Sequence, residues 1–238
     1  RKYFKGKLDE ILIYSCELSS NQIDSIYQAQ KPQVTPNPCL EAHYLFNGST
    51  FDESGKGRTP INNGASLSTD RFGNNNSAYL FDGNNDVMFT NYSFDYEERT
   101  VAFWIEPQRL SGVNAIMSQD ANTLNYGTFG SNISNGELTL NASGADKYKT
   151  TNLSLGKWMH LAMVRTKDSV RYFVDGQLVS TGVSGFNGSS TYANPILVLG
   201  SDRKGDRKFY HSKIVDIVIY SCALQLQQLD SLYVSSNF

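Results

Sequence analysis

The sequence predicts an all-β fold, two antiparallel sheets packed as a sandwich with one short C-terminal helix. Three observations carry this. Short apolar or alternating runs recur along the chain, separated by Asn-Gly, Asp-Gly and Ser-Gly pairs, the pattern of brief strands joined by tight turns. The chain is rich in Asn, Ser, Thr, Gly and Tyr, and only 18% of its residues are charged, which suits strands and polar turns. Helical periodicity is confined to two short stretches, and these are copies of each other.

That duplication sets the domain organisation. Residues 1–30 (RKYFKGKLDEILIYSCELSSNQIDSIYQAQ) return as residues 207–236 (RKFYHSKIVDIVIYSCALQLQQLDSLYVSS) at a constant offset, with no gap. Self-similarity at a domain-sized period marks a tandem array. The expected division is therefore a terminal strand and helix of a preceding repeat at 1–30, a Pro-rich linker at 31–38, and one complete domain at 39–238.

The elements follow in order. Residues 4–16 alternate and then turn apolar through Ile11, Leu12, Ile13 and Tyr14, as a strand entering a sheet does. Ser19 or Ser20 is placed to cap a short helix with Ile23, Ile26 and Tyr27 on one side. The prolines of KPQVTPNPC at 31–39 fix φ and remove donors, giving an extended connector. Strands are then expected at 42–47, 78–82, 86–90, 99–106, 113–119, 126–131 and 137–142. Six more are expected at 147–152, 158–166, 169–175, 177–182, 195–201 and 209–221. Asp175-Gly176, between RYFV and QLVS, is the strongest hairpin signal, because a type I′ turn needs φ > 0 at both central residues. The second helix, at 224–234, repeats the first with Leu229, Leu232 and Tyr233.

Composition narrows the function classes. The net charge is −2 with both signs dispersed, so no basic face for nucleic acid is expected. No run approaches the roughly 18 apolar residues of a membrane span. The three histidines, His43, His160 and His211, are scattered, and His160 reads as a packed strand residue. No Gly-x-Ser-x-Gly elbow occurs. The paired carboxylates that a jelly-roll glycosidase sets across its cleft have no cluster on a strand; Asp95, Glu97 and Glu98 fall in a turn. A non-enzymatic chain is expected.

The residues also resemble a known family. AHYLFNGSTFDESGKG (42–57), DRFGNNNSAYLFDGNNDVMF (70–89), VAFWIEP (101–107), GKWMHLAMVR (156–165), RYFVDGQLV (171–179), PILVLGS (195–201) and FYHSKIVDIVIYSCAL (209–224) stand in order. Together they resemble the laminin-G-like, concanavalin A-like jelly rolls of bacterial surface proteins. That resemblance implies an antiparallel jelly-roll sandwich, an extracellular or cell-surface location, and adhesion, spacing or carbohydrate binding as the function. A carbohydrate-binding module of a polysaccharide-degrading enzyme is the alternative.

The resemblance also implies sites. A structural Ca2+ is expected where the first strand's exit loop meets the last strand, with Asp52 and Asp216 as ligands and backbone carbonyls filling the rest of an oxygen shell; Asp82 and Asp86 are the second choice. The full domain departs from the family pattern at Ser212 and Val215, which replace a Gly and an acid. First and last strands lie side by side in such folds, which favours a Cys39–Cys222 disulfide with Cys16 an orphan; Cys16–Cys39 and three reduced thiols stay open. Tyr126, Tyr148 and Tyr192, in Asn- and Ser-rich surroundings, are candidates to stack on a sugar, while Trp104 and Trp158 read as core. The expected partner is a glycan or a neighbouring repeat, and the strand at 1–16, needing a sheet, is expected to pair with its own domain or with an adjacent copy.

Overall fold

The computed structural model describes residues 11–20, 22, 23, 25, 26, 38–92, 97–119, 129–142, 147–184, 196–202, 205 and 207–235. Its strands are β1 (Leu40–Tyr44), β2 (Ile61–Asn63), β3 (Ser66–Ser68), β4 (Ala78–Asp82), β5 (Val87–Phe89), β6 (Arg99–Pro107), β7 (Val113–Gln119) and β8 (Phe129–Ser134). They continue with β9 (Glu137–Ala142), β10 (Tyr148–Thr150), β11 (Met159–Arg165), β12 (Ser169–Val174), β13 (Gln177–Val183), β14 (Val198–Leu199) and β15 (His211–Tyr220), and the helix α1 (Leu226–Ser235) ends the series. The chain divides into two compact units, Arg1–Asn37 and Pro38–Phe238.

The second unit is the sandwich. One sheet has eight strands in the order β13-β12-β11-β6-β15-β4-β3, with β1 also on β15; the other has seven, β10-β9-β8-β7-β14-β5-β2. Every recorded pairing within the two sheets is antiparallel. The expected all-β, two-sheet antiparallel sandwich with a short C-terminal helix is the fold. Its core lies between the sheets, where Phe81, Phe103, Ile105, Phe129, Leu140, Leu161, Tyr172 and Ile214 are buried. They come from alternate positions of their strands, as a pleat facing one core requires.

β15 organises the larger sheet. One edge pairs with β6 through most of its length. The other edge is shared, β4 taking His211 to Ile214 and β1 taking Ile217 to Tyr220. The handover falls at a bulge between Val215 and Val218, where Asp216 adopts φ 50°, the left-handed region that Asp tolerates better than most residues.

Most expected strands are present with ends moved by a few residues: 42–47 is Leu40–Tyr44, and 126–131, whose residues 126–128 lie outside the described residues, is Phe129–Ser134. The 195–201 expectation contracts to Val198–Leu199. β2 and β3 were not foreseen: each has three residues and is exposed or nearly so, so neither carries an apolar alternation to detect. Asp175 and Gly176 have φ 47° and 75°, and the turn joins β12 to β13 in register.

In the first unit, the strand expected over 4–16 is not formed across its described part, residues 11–16; residues 1–10 lie outside the described residues. A lone strand has no ladder for its N–H and C=O groups, which is why an apolar pattern alone does not make one. The expected short helix is present at Ser20, Gln22, Ile23, Ser25 and Ile26. The Ser19 carbonyl accepts from Gln22 N and Ile23 N at 3.0 Å each, and Gln22 Oε1 accepts from Ser19 N at 2.9 Å, a capping box.

Candidate functional site

Both inner sheet faces are spent on the core, so any broad binding surface must come from an outer face. The outer face of the eight-stranded sheet is apolar and covered where β6, β11, β12 and β15 lie. Ala102, Ala162, Val164, Phe173, Val218 and Tyr220 pack with Leu224 and Leu229 beneath α1. Trp104, 6% exposed, lies under Tyr233, so the closing helix lies over this face.

The outer face of the seven-stranded sheet is different. Phe129, Ser131 and Ile133 of β8 and Leu138, Leu140 and Ala142 of β9 are buried. The alternate residues therefore face outward, and the register sets Gly130 opposite Asn141, Asn132 opposite Thr139, and Ser134 opposite Glu137. Lys149 of β10 continues the row beside Thr139 and pairs with Glu137 at 2.6 Å. The result is a partly exposed strip of amides, hydroxyls and one ion pair. At Gly130 a side chain would meet the Met117 carbonyl oxygen at 3.3 Å, so glycine keeps the floor flush there.

A polar ridge borders this strip. Ala115 N donates to the Lys208 carbonyl at 2.8 Å, and Ser118 Oγ donates to the Ser201 carbonyl. These bonds set Lys208 and Ser201 against β7. Ser201 Oγ donates to the Arg207 carbonyl at 2.7 Å, and Asp202 holds Lys208 at 2.7 Å and Arg207 at 3.6 Å. Both cations stay exposed. Strip and ridge together offer acceptors, donors and positive charge over several strands, which suits a hydroxyl-rich ligand better than an apolar one. The strip was not nominated from the sequence, although its signal is present: in 129–142 the polar half of the alternation is mostly Asn, Ser and Thr, with Glu137 the one charged residue.

The acids expected to bind calcium flank His43. Asp52 Oδ1 accepts from His43 N and Ser54 N, and Oδ2 accepts from Ser54 Oγ and Arg58 N. These bonds hold the Asp52 carboxyl below its ordinary range against the opposing effect of burial. Asp216 pairs with Arg71 at 2.7 Å; burial pushes its carboxyl up, and the Arg71 charge offsets that in part. Among the described residues no group of three or more His, Cys, Asp or Glu side chains converges. Calcium needs six to eight oxygens, and a donor set whose two carboxylates are already engaged by protein N–H, O–H and guanidinium groups does not fit it. Asp82 caps its own turn through Asn84 N, and Asp86 accepts from Asp82 N.

Of the candidate tyrosines, Tyr126 and Tyr192 lie outside the described residues. Tyr148 is partly buried and stacks on Tyr172, centroids 6.2 Å apart, so one ring face belongs to the core. A disulfide joins Cys39 to Cys222, Cα atoms 5.7 Å apart, and Cys16 is free and exposed. His43 lies opposite Val218 and His211 opposite Asp82, towards opposite ends of β15.

Two packed antiparallel sheets, of eight and seven strands with α1 on the outer face of the larger, define a jelly-roll-type β-sandwich. The chain belongs to the concanavalin A-like lectin/glucanases superfamily, whose sequence profile matches residues 81–230. No curated protein matches it. Among solved structures it is similar to the receptor binding domain of botulinum neurotoxin D, at 18% identity and TM-score 0.65 over 85% of this chain and 54% of that one. The serotype D ligand binding domain in complex with N-acetylneuraminic acid matches at 18% identity and TM-score 0.63, over 83% of this chain and 51% of that one. Domain 4 of AbnA, a GH43 extracellular arabinanase from Geobacillus stearothermophilus in complex with arabinotriose, matches at 19% identity and TM-score 0.60, over 82% of this chain and 98% of that one. The chain thus spans about half the length of the toxin domains and nearly all of the arabinanase domain. Among the described residues no helix is long and apolar enough to cross a membrane.

Proposed function

We propose that this chain is a non-catalytic glycan-binding module of a secreted or cell-surface protein, and that it binds on the outer face of the seven-stranded sheet. The observation that carries the reading is the Gly130–Asn132–Thr139–Asn141 strip. It is a row of amide and hydroxyl groups on the sheet opposite the one that carries α1. Sugars are held by such groups together with aromatic stacking. The aromatic part falls to Tyr126, three residues before β8 in the sequence, and to Tyr192, with Tyr148 the lesser contributor because Tyr172 occupies one of its faces. The complexes of similarly folded domains with arabinotriose and N-acetylneuraminic acid support the ligand class. The disulfide supports an oxidising compartment. Adhesion through surface glycans is the role such a module serves.

The test is retention on immobilised polysaccharides, arabinan and sialylated glycans among them, for the native chain and the Asn132→Ala/Asn141→Ala variant. Binding by the native chain that the variant loses, with its melting temperature unchanged, supports the reading. Equal retention of both, or of neither, overturns it.

A further inference from the structure

The same side chains occur twice in this chain in opposite environments. In β15, Ile217 and Ile219 are 0% exposed, and Val218 and Tyr220 are buried beside them. Their counterparts are Ile11, Leu12, Ile13 and Tyr14. Ile11 is 67% exposed, Ile13 is 92% exposed, and Leu12 and Tyr14 are exposed as well. A run of four exposed apolar residues has no role in a solvated segment.

The correspondence extends to every level that can be compared. The buried residues Tyr210, Ile214, Leu224 and Leu229 of the second copy stand opposite Phe4, Leu8, Leu18 and Ile23 in the first. Two buried positions are exceptions: Asp9 stands opposite the buried Val215, and Gly6 opposite the buried Ser212. The helix starts match bond for bond. Gln228 N and Leu229 N donate to the Gln225 carbonyl, and Gln225 N donates to Gln228 Oε1 at 2.9 Å. Gln22, Ile23 and Ser19 do the same. Cys222 is bonded to Cys39, whereas its counterpart Cys16 is free and exposed.

Residues 207–232 show what such a segment fits. Its strand lies between a β6-like strand on one edge and β1- and β4-like strands on the other, and its helix lies on the outer face of the sheet. We propose that residues 1–26 are a closing strand and helix for a second jelly-roll unit of this chain's own type. They take there the place that residues 207–232 take here, and Cys16 bonds there to the counterpart of Cys39. The surface is therefore a donated strand, and its partner is a sandwich whose own last strand is absent or displaced.

Two measurements decide this. In the first, residues 207–236 of the full chain are replaced by the sequence of residues 1–30, once as it stands and once with Val215 kept. The proposal expects a single cooperative melt and an intact Cys39–Cys222 disulfide by non-reducing peptide mapping. In the second, the native chain is reduced, unfolded and refolded in a glutathione buffer with excess labelled peptide of residues 1–30. The proposal expects the peptide to be captured through a Cys16–Cys39 disulfide, and a Cys16→Ser peptide to be lost on washing under denaturing conditions. Success of either measurement supports donation. Failure of both transplants to fold, together with refolding that yields only Cys39–Cys222 and leaves the peptide free, overturns it.

Discussion

Tyr233 stacks on Trp104, the ring centroids 5.7 Å apart and the planes within 14°. The contact ties the end of α1 to the middle of β6. His160 completes the group, its ring 5.2 Å from Trp104 and 5.6 Å from Tyr233. His160 is 3% exposed, and its Nδ1 has no hydrogen-bond partner among the described residues. Truncating Tyr233 removes the aromatic lid from both rings. Tyr233→Ala is expected to cost about 2–3 kcal/mol, below the usual range for a fully buried aromatic because Tyr233 is only partly buried. Denaturant melts of the two proteins measure it.

The same histidine makes stability depend on pH. Burial, with the nearby Arg71 charge added, lowers the His160 pKa from 6.5 to about 4. The unfolded chain therefore takes up this proton more readily than the folded one. The stability is intact above about pH 6.5, falls as pH drops towards 4, and the loss is complete below that. At 1.36 kcal/mol per pH unit the whole effect is about 3 kcal/mol. His160→Phe retains an aromatic ring and removes the proton site. Its unfolding free energy is expected to fall less than the native chain's between pH 7 and 4.5; equal slopes would refute the assignment.

The Cys39–Cys222 bond closes a loop with a sequence separation of 183. In the chain-entropy model such a loop contributes about 5 kcal/mol, at the upper end of what disulfides deliver. Cys222→Ser, or reduction of the native chain, is expected to lower the melting temperature sharply. Cys16→Ser is expected to leave it unchanged.

At the β15 bulge, φ 50° and the Arg71 pair act on one residue. Asp216→Asn retains a side chain that tolerates the left-handed region and loses the charge. Asp216→Val loses both and adds a β-branch. The valine variant is expected to be the less stable by about 1–3 kcal/mol, a ranking that thermal melts of the two variants establish.

Calcium gives a separate measurement. Asp52 and Asp216 are satisfied by protein donors, so a bound ion would have to displace them. Calcium added to the chelated protein is expected to leave the melting temperature where it was. A rise that Asp52→Asn abolishes would show that the ion recruits that carboxylate.

What the sequence made legible follows from burial. β6, β11 and β15 are long, and their apolar residues are fixed by the sheets they enter, so their positions are readable from pattern alone. β2 and β3 are invisible because their residues, Ile61, Asn62 and Asn63 among them, are exposed or nearly so and show no apolar alternation. The segment around Ile11 and Ile13 misleads for the converse reason: its apolar pattern is that of a strand, but a strand also needs a partner edge, which local sequence does not encode. The polar strip was missed because Asn132 and Asn141 acquire meaning only when the register sets them across from Thr139 and Gly130.

The position of the disulfide has a mechanical consequence. Cys39 lies at the entrance to β1 and Cys222 just beyond β15, so tension applied at Pro38 and Ala223 passes from one cysteine to the other through a covalent bond. The residues between them, about 600 Å of contour if drawn out, are shielded from the load. Under oxidising conditions the sandwich behaves as an inextensible link whose two sheets stay folded while its ends are pulled. Reduction converts it into a long, compliant spring.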